Sequence, residues 1–345
     1  MITEVSLSKF TVFKQLDTTF SSGLNVFIGE NSTGKTHLMK LLYSACSVVD
    51  DKIKDEDAFK HKLMANFLPD SIGRLATRNQ GNTTASIKIK RKNTLTNNSY
   101  SLSSTINSTR GTFTKNLKNW REDNPKPVIY IPVKDMLANA PGFLALYDAH
   151  DIHFEGIYAD IINKASYPPT RGKRKKIQKE LLNQIEVELS GTVTRENEQF
   201  YLKGKEGQGN LEFTLLAEGY RKLGLLFCLI QNEMLTKGSI LFWDEPEANL
   251  NPKLTKIVVE ILYKLVDMGV QVFVATHDAM LTAQLELADK KRKDHVTQYH
   301  LFRKTAEGEV EHDSYKFISE IAQNPIQEAY NDLISDRINL DLNSL

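Results

Sequence analysis

The chain has 345 residues, 41% of them apolar and 25% charged, with a formal net charge of +1. That length supports a sizeable core, as roughly two domains or one elaborated one, and the composition excludes a disordered, collagen-like or linker-dominated polypeptide, while near-neutrality leaves no overall field that would announce a nucleic-acid ligand. Cys46 and Cys228 are the only cysteines, which supports neither a disulfide scaffold nor a thiolate metal cluster; with no apolar run of about 18 residues and no leader-like start, a cytoplasmic chain without a membrane partner is expected.

Met1 to Ile28 reads as two strands around a turn. Ile2, Val5 and Leu7 partly alternate, Ser21-Ser22-Gly23 interrupts, and Leu24-Asn25-Val26-Phe27-Ile28 is a short apolar strand. Directly after it, Gly29-Glu30-Asn31-Ser32-Thr33-Gly34-Lys35-Thr36 satisfies G-x-x-x-x-G-K-[ST] in full. Lys35 to Cys46 then carries Leu38, Leu41, Leu42 and Ala45 at helical spacing, which makes the order strand, glycine loop, helix. Glycines at both ends let backbone N–H groups turn inward around phosphate oxygens, and the helix N-terminus adds partial positive charge. In that setting Lys35 is expected to bridge the β and γ phosphates and Thr36 to offer its hydroxyl to Mg²⁺, so ATP and Mg²⁺ are the implied ligands.

Residues 50–66 are charged and read as helical, while 80–114 is rich in Asn, Ser and Thr around Ala85-Ser86-Ile87-Lys88-Ile89. That pattern predicts a peripheral antiparallel sheet with long polar loops. Val128-Ile129-Tyr130-Ile131 is a buried strand stopped by Pro132, and Met136 to Ile162 reads as mostly helical apart from Pro141-Gly142. Residues from about 133 to 215 read as an inserted lobe, because a strong α/β rhythm returns afterwards. It runs as a helix from Tyr220 to Glu233, a strand from Ile240 to Trp243, a helix from Leu254 to Val266, a strand from Val270 to Ala275 and a helix from about Ala279. A strand from Val296 to Phe302, a turn near Gly308 and a mixed polar and helical stretch complete the chain. Within the lobe, Arg171-Gly172-Lys173-Arg174-Lys175-Lys176 precedes an amphipathic run; a solvated loop entering a helix and a contact to a phosphate backbone or partner are both open readings.

Ser239 to Glu245 is an apolar strand ending in two adjacent carboxylates. At a strand end, small backbone adjustments let both reach one bound nucleotide. Asp244 is the natural Mg²⁺ partner and Glu245 is placed to polarise the attacking water. His277 leaves the next apolar strand beside them, where an imidazole can hydrogen-bond the γ-phosphate or that water; without this company it would read as a helix-cap or core histidine.

Together with Leu216-Ala217-Glu218-Gly219-Tyr220-Arg221-Lys222, Asp244-Glu245-Pro246-Glu247, Ala248-Asn249-Leu250-Asn251-Pro252 and Thr276-His277-Asp278, the phosphate loop resembles the ABC ATPase core in its SMC and RecF-like branch. More closely, the set is similar to the stand-alone ATPases of bacterial anti-phage defence modules. The resemblance implies an α/β P-loop NTPase fold with an ABC-type core, peripheral antiparallel strands and an inserted, mainly helical lobe. Its parts would be 1–132 with the phosphate loop, 133–215 as the lobe, and 216–345 with the remaining motifs. It implies a homodimer in which two nucleotides are sandwiched head to tail, with the loop and the Asp244-Glu245 pair of one copy meeting Ala217, Glu218, Gly219 and the D-loop Asn249 of the other, and with His277 as the switch histidine.

Three departures accompany the resemblance. Ala217 stands where the signature usually has a serine, so trans contact falls to Glu218-Gly219 and the helix N-terminus. No glutamine follows Ile131; Val133-Lys134-Asp135 stands there, and Asp135 is a candidate for metal or water contact. The lobe lacks long heptad repeats, which excludes a long coiled-coil protein. The expected function is ATP-driven dimerisation that regulates a separate effector such as a nuclease or toxin. The alternative is a DNA-repair or end-processing ATPase acting on nucleic acid with a separate nuclease. No nuclease activity is expected within the chain, whose acidic residues after Leu281 form no divalent-metal cluster at buried strand ends.

Overall fold

The computed structural model describes residues 1–49, 55, 57–77, 81–93, 96–117, 119–122, 125–149, 152–172, 174–204 and 209–343. The chain opens with β1 (Ile2–Phe10), β2 (Phe13–Thr19) and β3 (Leu24–Gly29), one strand more than its apolar pattern indicates. The unpredicted reversal at Thr11-Val12 carries Lys9 and Thr11 at φ 54° and 50°, and neither a glycine nor an asparagine marks it. After α1 (Lys35–Cys46) and α2 (Ala58–Phe67) come β4 (Thr84–Lys92), β5 (Ser99–Asn107) and β6 (Phe113–Asn116). Residues 50–54 and 56 of the expected charged helix lie outside the described residues.

The strands on either side of the phosphate-loop segment form one antiparallel sheet in the order β2-β1-β4-β5-β6. One face of it buries Val5, Leu7, Ile87, Ile89, Leu102 and Ile106, the period of two that a half-solvated sheet requires. This is the peripheral sheet expected from the sequence.

Beyond β7 (Val128–Ile131) lie α3 (Phe143–Asp148), α4 (Gly156–Ala165) and α5 (Lys176–Leu189), then β8 (Gly191–Glu196), β9 (Gln199–Gly204) and β10 (Asn210–Glu212). The last three form a small antiparallel sheet that the reading of this region as mainly helical did not include. Its signal was available: Val193, Phe200 and Leu202 alternate with polar residues, and the turn places Asn197 and Glu198 at φ 46° and 69°, the positive-φ pair of a tight hairpin. Ala159, Ile161, Ile162 and Ala165 of α4, with Leu181, Leu182, Ile185 and Leu189 of α5, join the same core as Val26, Ile129 and Trp243.

The chain then alternates α6 (Glu218–Gln231), β11 (Ile240–Asp244), α7 (Pro252–Asp267), β12 (Gln271–Thr276), α8 (Ala279–Lys291) and β13 (Thr297–Lys304), and ends in β14 (Val310–Tyr315) and α9 (Pro325–Asn343). Local chemistry sets the helix starts. Asn251 accepts from Leu254 N at 3.0 Å ahead of Pro252, and Asp278 accepts from Leu281 N at 2.6 Å, both N-caps of the kind that satisfies an orphan helix donor.

The principal sheet runs β14-β13-β3-β12-β11-β7, parallel except for β14. Every residue of β3, β11 and β12 is buried, as parallel strands covered on both faces must be. Alternate side chains feed two cores: Val26, Trp243 and Val274 pack toward the α6–α7 side, and Phe27, Tyr130, Phe242 and Phe273 toward α1 and the antiparallel sheet. The register sets Asp244 beside Ala275, and Thr276 beside Ile28. Asp244, Thr276 and Gly29 therefore leave the sheet at one carboxyl edge, where open α/β sheets bind ligands. Among the described residues, no helix is long and apolar enough to cross a membrane.

Candidate functional site

The loop between β3 and α1 has a conformation that only its sequence permits. A Cβ on Gly29, at φ 156°, would lie 2.3 Å from the Phe302 carbonyl oxygen, and one on Gly34, at φ 89°, would lie 2.5 Å from Val12 Cγ2. Both positions therefore demand glycine. Ser32 takes a positive φ of 62° at the crest, where Glu30, Asn31 and Ser32 are exposed while Thr33 and Lys35 are buried. Thr33 Oγ1 donates to the Glu30 carbonyl at 2.8 Å. Lys35 Nζ donates to the Gly29 and Glu30 carbonyls at 2.6 and 2.8 Å, so the ammonium lies curled against the loop that it closes. Burial lowers its pKa, against the opposing pull of Asp244, Glu245, Glu247 and Glu30.

Asp244 is buried at the end of β11. Its Oδ1 accepts from Thr36 Oγ1 at 3.2 Å and its Oδ2 from the Tyr130 hydroxyl at 3.0 Å. Burial raises the Asp244 carboxyl above its usual range, with those two donors pulling the other way. Glu245 follows at φ 47°, its N–H donating to the Ala275 carbonyl at 2.9 Å, and its Oε1 lies 3.0 Å from His277 Nδ1. The structure thus brings Lys35, Thr36, Asp244, Glu245 and His277 to one end of the sheet.

The donor set fits a magnesium nucleotide. Thr36 and Asp244 present a hydroxyl and a carboxylate side by side, the hard oxygen ligands that Mg²⁺ takes in ones and twos while it keeps its waters and phosphate oxygens. Among the described residues, no group of three His, Cys, Asp or Glu side chains forms a self-sufficient metal cage.

Ala217, Glu218 and Gly219 form a second locus at the start of α6. Ala217 is the N-cap residue without a side-chain cap, and Glu218 Oε2 accepts from Asn249 Nδ2 at 2.8 Å. A Cβ on Gly219 would meet Leu250 Cδ2 at 2.8 Å, so the helix start and the loop after Asp244-Glu245 pack directly. No hydrogen bond or ion pair among the described residues joins 217–219 to the phosphate loop of the same chain. Asp135 is engaged elsewhere: its buried carboxyl lies 3.3 Å from Arg221 Nε and accepts from Leu137 N, which ties the segment after β7 to α6. The basic run leads into α5 with Arg171, Lys175 and Lys176 exposed; Lys173 lies outside the described residues.

Sequence reasoning gave no role to Tyr130, Glu247, Thr276 or Lys222. Tyr130 read only as an apolar strand residue, yet β7 pairs with β11 and sets Tyr130 beside Phe242, within reach of Asp244. Glu247 Oε1 accepts from Thr276 Oγ1 at 2.5 Å, and that hydroxyl accepts from Asp278 N at 3.0 Å, fixing the turn that carries His277. Lys222 is 1% exposed, and its Nζ donates to the carbonyls of Ala248 at 2.6 Å and Glu245 at 3.4 Å. A lysine on an otherwise apolar helix face was the available signal for this last one.

By structure, the chain is similar to an SMC head bound to the C-winged helix domain of ScpA, with 13% identity and a TM-score of 0.58 over 93% of this chain and 99% of that one. It is also similar to an SMC head domain with an extended coiled coil, bound to the C-terminal domain of ScpA, derived from Pyrococcus furiosus; here identity is 12% and the TM-score 0.53 over 97% and 99% of the two chains. At such identities the likeness shows the fold alone, an α/β fold shared with SMC heads. No curated protein matches the sequence. The family described as "AAA domain, putative AbiEii toxin, Type IV TA system" matches residues 24–283, from the start of β3 into α8, and the chain belongs to it.

Proposed function

We propose that the chain binds and hydrolyses MgATP, that ATP closes two copies head to tail, and that this dimer regulates a separate effector in anti-phage defence. The observation that carries the reading is the meeting of Glu245 and His277 at 3.0 Å beside Thr36 and Asp244, at the mouth of a loop built for phosphate. Backbone N–H groups of residues 29–36 and the Lys35 ammonium hold the phosphates, which requires Lys35 to exchange its carbonyl partners for phosphate oxygens. Thr36 and Asp244 hold Mg²⁺, which when bound neutralises phosphate charge. Glu245 orients the attacking water and accepts its proton. A carboxylate only accepts, so the proton of the His277–Glu245 contact resides on Nδ1; Nε2 then accepts from the attacking water, or donates to the γ-phosphate when the ring carries a second proton.

Ala217, Glu218, Gly219 and Asn249 supply the opposing half from the second copy. Because Ala217 has no hydroxyl, that half relies on the N–H groups at the start of α6. The family's description as a toxin of a toxin–antitoxin system supports a defence setting, and the solved SMC heads with bound ScpA domains support a separate protein partner. The test is ATP turnover and sedimentation with and without ATP for the natural chain and Lys35→Ala. Turnover and ATP-dependent association should both disappear in the variant, and a Lys35→Ala protein indistinguishable from the natural chain in both assays would sink the reading.

A further inference from the structure

Along one face of α1, three successive turns are each tied to a carboxylate. Thr36 Oγ1 donates to Asp244 Oδ1 at 3.2 Å, Lys40 Nζ pairs with Glu155 Oε1, and the Tyr43 hydroxyl donates to Asp160 Oδ2 at 2.8 Å, the i, i+4, i+7 spacing of a single helix face. The first carboxylate belongs to the site, and the other two come from α4 and the residue that starts it. Helix α4 is itself well anchored. Lys62 Nζ of α2 donates to the same Asp160 oxygen at 2.6 Å, and Lys164 Nζ donates to the Tyr43 hydroxyl at 2.8 Å and the Val128 carbonyl at 2.7 Å. A Cβ on Gly156 would lie 3.1 Å from Ala65 Cβ. Glu155 therefore reaches Lys40 from a fixed helix start, where it occupies the N-cap position without a side-chain cap and the helix N-terminus favours its ionised form.

Lys40 is the residue that this arrangement restrains. Its side chain is 11% exposed and that of Glu155 27%, so the pair is largely desolvated, and an ammonium left there without a partner would be strongly destabilising. Lys40 stands one turn from Thr36, with side-chain origins about 5–6 Å apart, and its flexible four-carbon stem puts Asp244 within range of the same ammonium. The electrostatics agree. Burial raises the Asp244 carboxyl, and the Lys40 charge joins the Thr36 and Tyr130 donors in pulling it down. Tyr158, one turn into α4, is raised by burial first and then by the carboxylates of both Glu155 and Asp244. Lys40 thus has two carboxylates nearby and is paired with the one that lies outside the site.

We propose that Glu155 is a positioning residue for the metal site: by holding Lys40 it keeps that ammonium off Asp244, which leaves Asp244 open to Mg²⁺. The proposal rests on the reading of Thr36 and Asp244 as metal ligands. Two measurements on the full chain test it: binding of fluorescent ATP with Mg²⁺ and with a chelator, and urea unfolding without nucleotide. Glu155→Gln keeps the side chain's size but not its charge, and the gain in ATP affinity that Mg²⁺ provides should shrink about tenfold or more. Adding Lys40→Met to that protein should return the gain close to its natural value, because no cation is left to compete. In urea, Glu155→Gln should lower the midpoint less in the natural chain, where Lys40 can turn to Asp244, than in an Asp244→Asn background, where it cannot. An undiminished Mg²⁺ gain in Glu155→Gln overturns the proposal, as does a Lys40→Met combination no better than Glu155→Gln alone. Equal midpoint losses in the two backgrounds overturn Asp244 as the lysine's second partner. A natural chain whose ATP binding is indifferent to Mg²⁺ overturns the metal reading and the role of Glu155 with it; the unfolding comparison, which uses no ligand, still decides whether Lys40 changes partner.

Discussion

Glu245 Oε1 stands 3.0 Å from His277 Nδ1, and the pair exists because β11 and β12 run parallel with Asp244 beside Ala275. Each residue lies just past the end of its strand, so the sheet register holds the contact and no loop has to supply it. On the proposed function, Glu245→Gln keeps a hydrogen-bonding group next to His277 but removes the base. Turnover should fall about 10²–10⁴-fold while nucleotide affinity is kept, and ATP-dependent dimers should last longer. Phosphate release, nucleotide binding and sedimentation with ATP check this; normal turnover with no gain in association would reject the role of Glu245.

Tyr130→Phe removes the donor on Asp244 Oδ2 and leaves a buried carboxylate oxygen unpaired. Stability should fall by about 1–3 kcal/mol in denaturant unfolding. If Asp244 holds Mg²⁺, the half-saturating Mg²⁺ concentration for turnover should rise about tenfold or more, because groups that orient a metal ligand typically matter that much. An unchanged Mg²⁺ dependence would remove Asp244 from the metal site.

Glu247 gives a pH signature that does not depend on any ligand. Burial raises its carboxyl from an ordinary 4.5 to about 7. The folded protein therefore holds a proton that the unfolded chain releases between about pH 4.5 and 7; the stability this group contributes is complete below pH 4.5 and is lost as pH rises through 7. The span corresponds to about 3 kcal/mol at most. Glu247→Gln should flatten the difference in unfolding free energy between pH 5 and pH 8 relative to the natural chain, and should be the more stable protein at pH 8. Parallel pH profiles for the two proteins would refute the assignment.

The phosphate loop, both carboxylates and His277 were legible in the sequence because each follows a mainly apolar run, in which buried parallel strands admit few polar residues before the sheet edge. The β1–β2 hairpin was not legible, since Thr11 adopts its positive φ without a residue type that favours it. Tyr130 was hidden for a different reason. Its importance lies in which strand neighbours β11, a long-range pairing that local pattern does not encode. The strands β8–β10 were overlooked because the helical periodicity of α4 and α5 was extended across a region whose alternation had already changed from about four to two.

Lys222 offers the sharpest separation of positioning from binding. Its ammonium is sealed between α6 and the loop after β11, where burial lowers its pKa against the pull of Glu218, Glu247, Asp135 and Glu245. It donates to the carbonyls of Glu245 and Ala248, and Glu245 holds a left-handed backbone at φ 47° that a non-glycine residue keeps only when its surroundings fix it. Lys222→Met fills the same space without the donors, so the two carbonyls lose a partner and the Glu245 backbone loses a restraint. The net stability change should be modest, about 1–3 kcal/mol, because removing a buried charge offsets part of the loss. The functional change should be larger: a turnover deficit at saturating ATP well beyond the small fraction unfolded, with KM for ATP nearly unchanged because Lys35 and the loop amides are untouched. Combining Lys222→Met with Glu245→Gln should cost little more than Glu245→Gln alone, since the lysine acts through the glutamate. Full additivity of the two changes, or a rise in KM without a fall in turnover, would show that Lys222 has no part in placing Glu245.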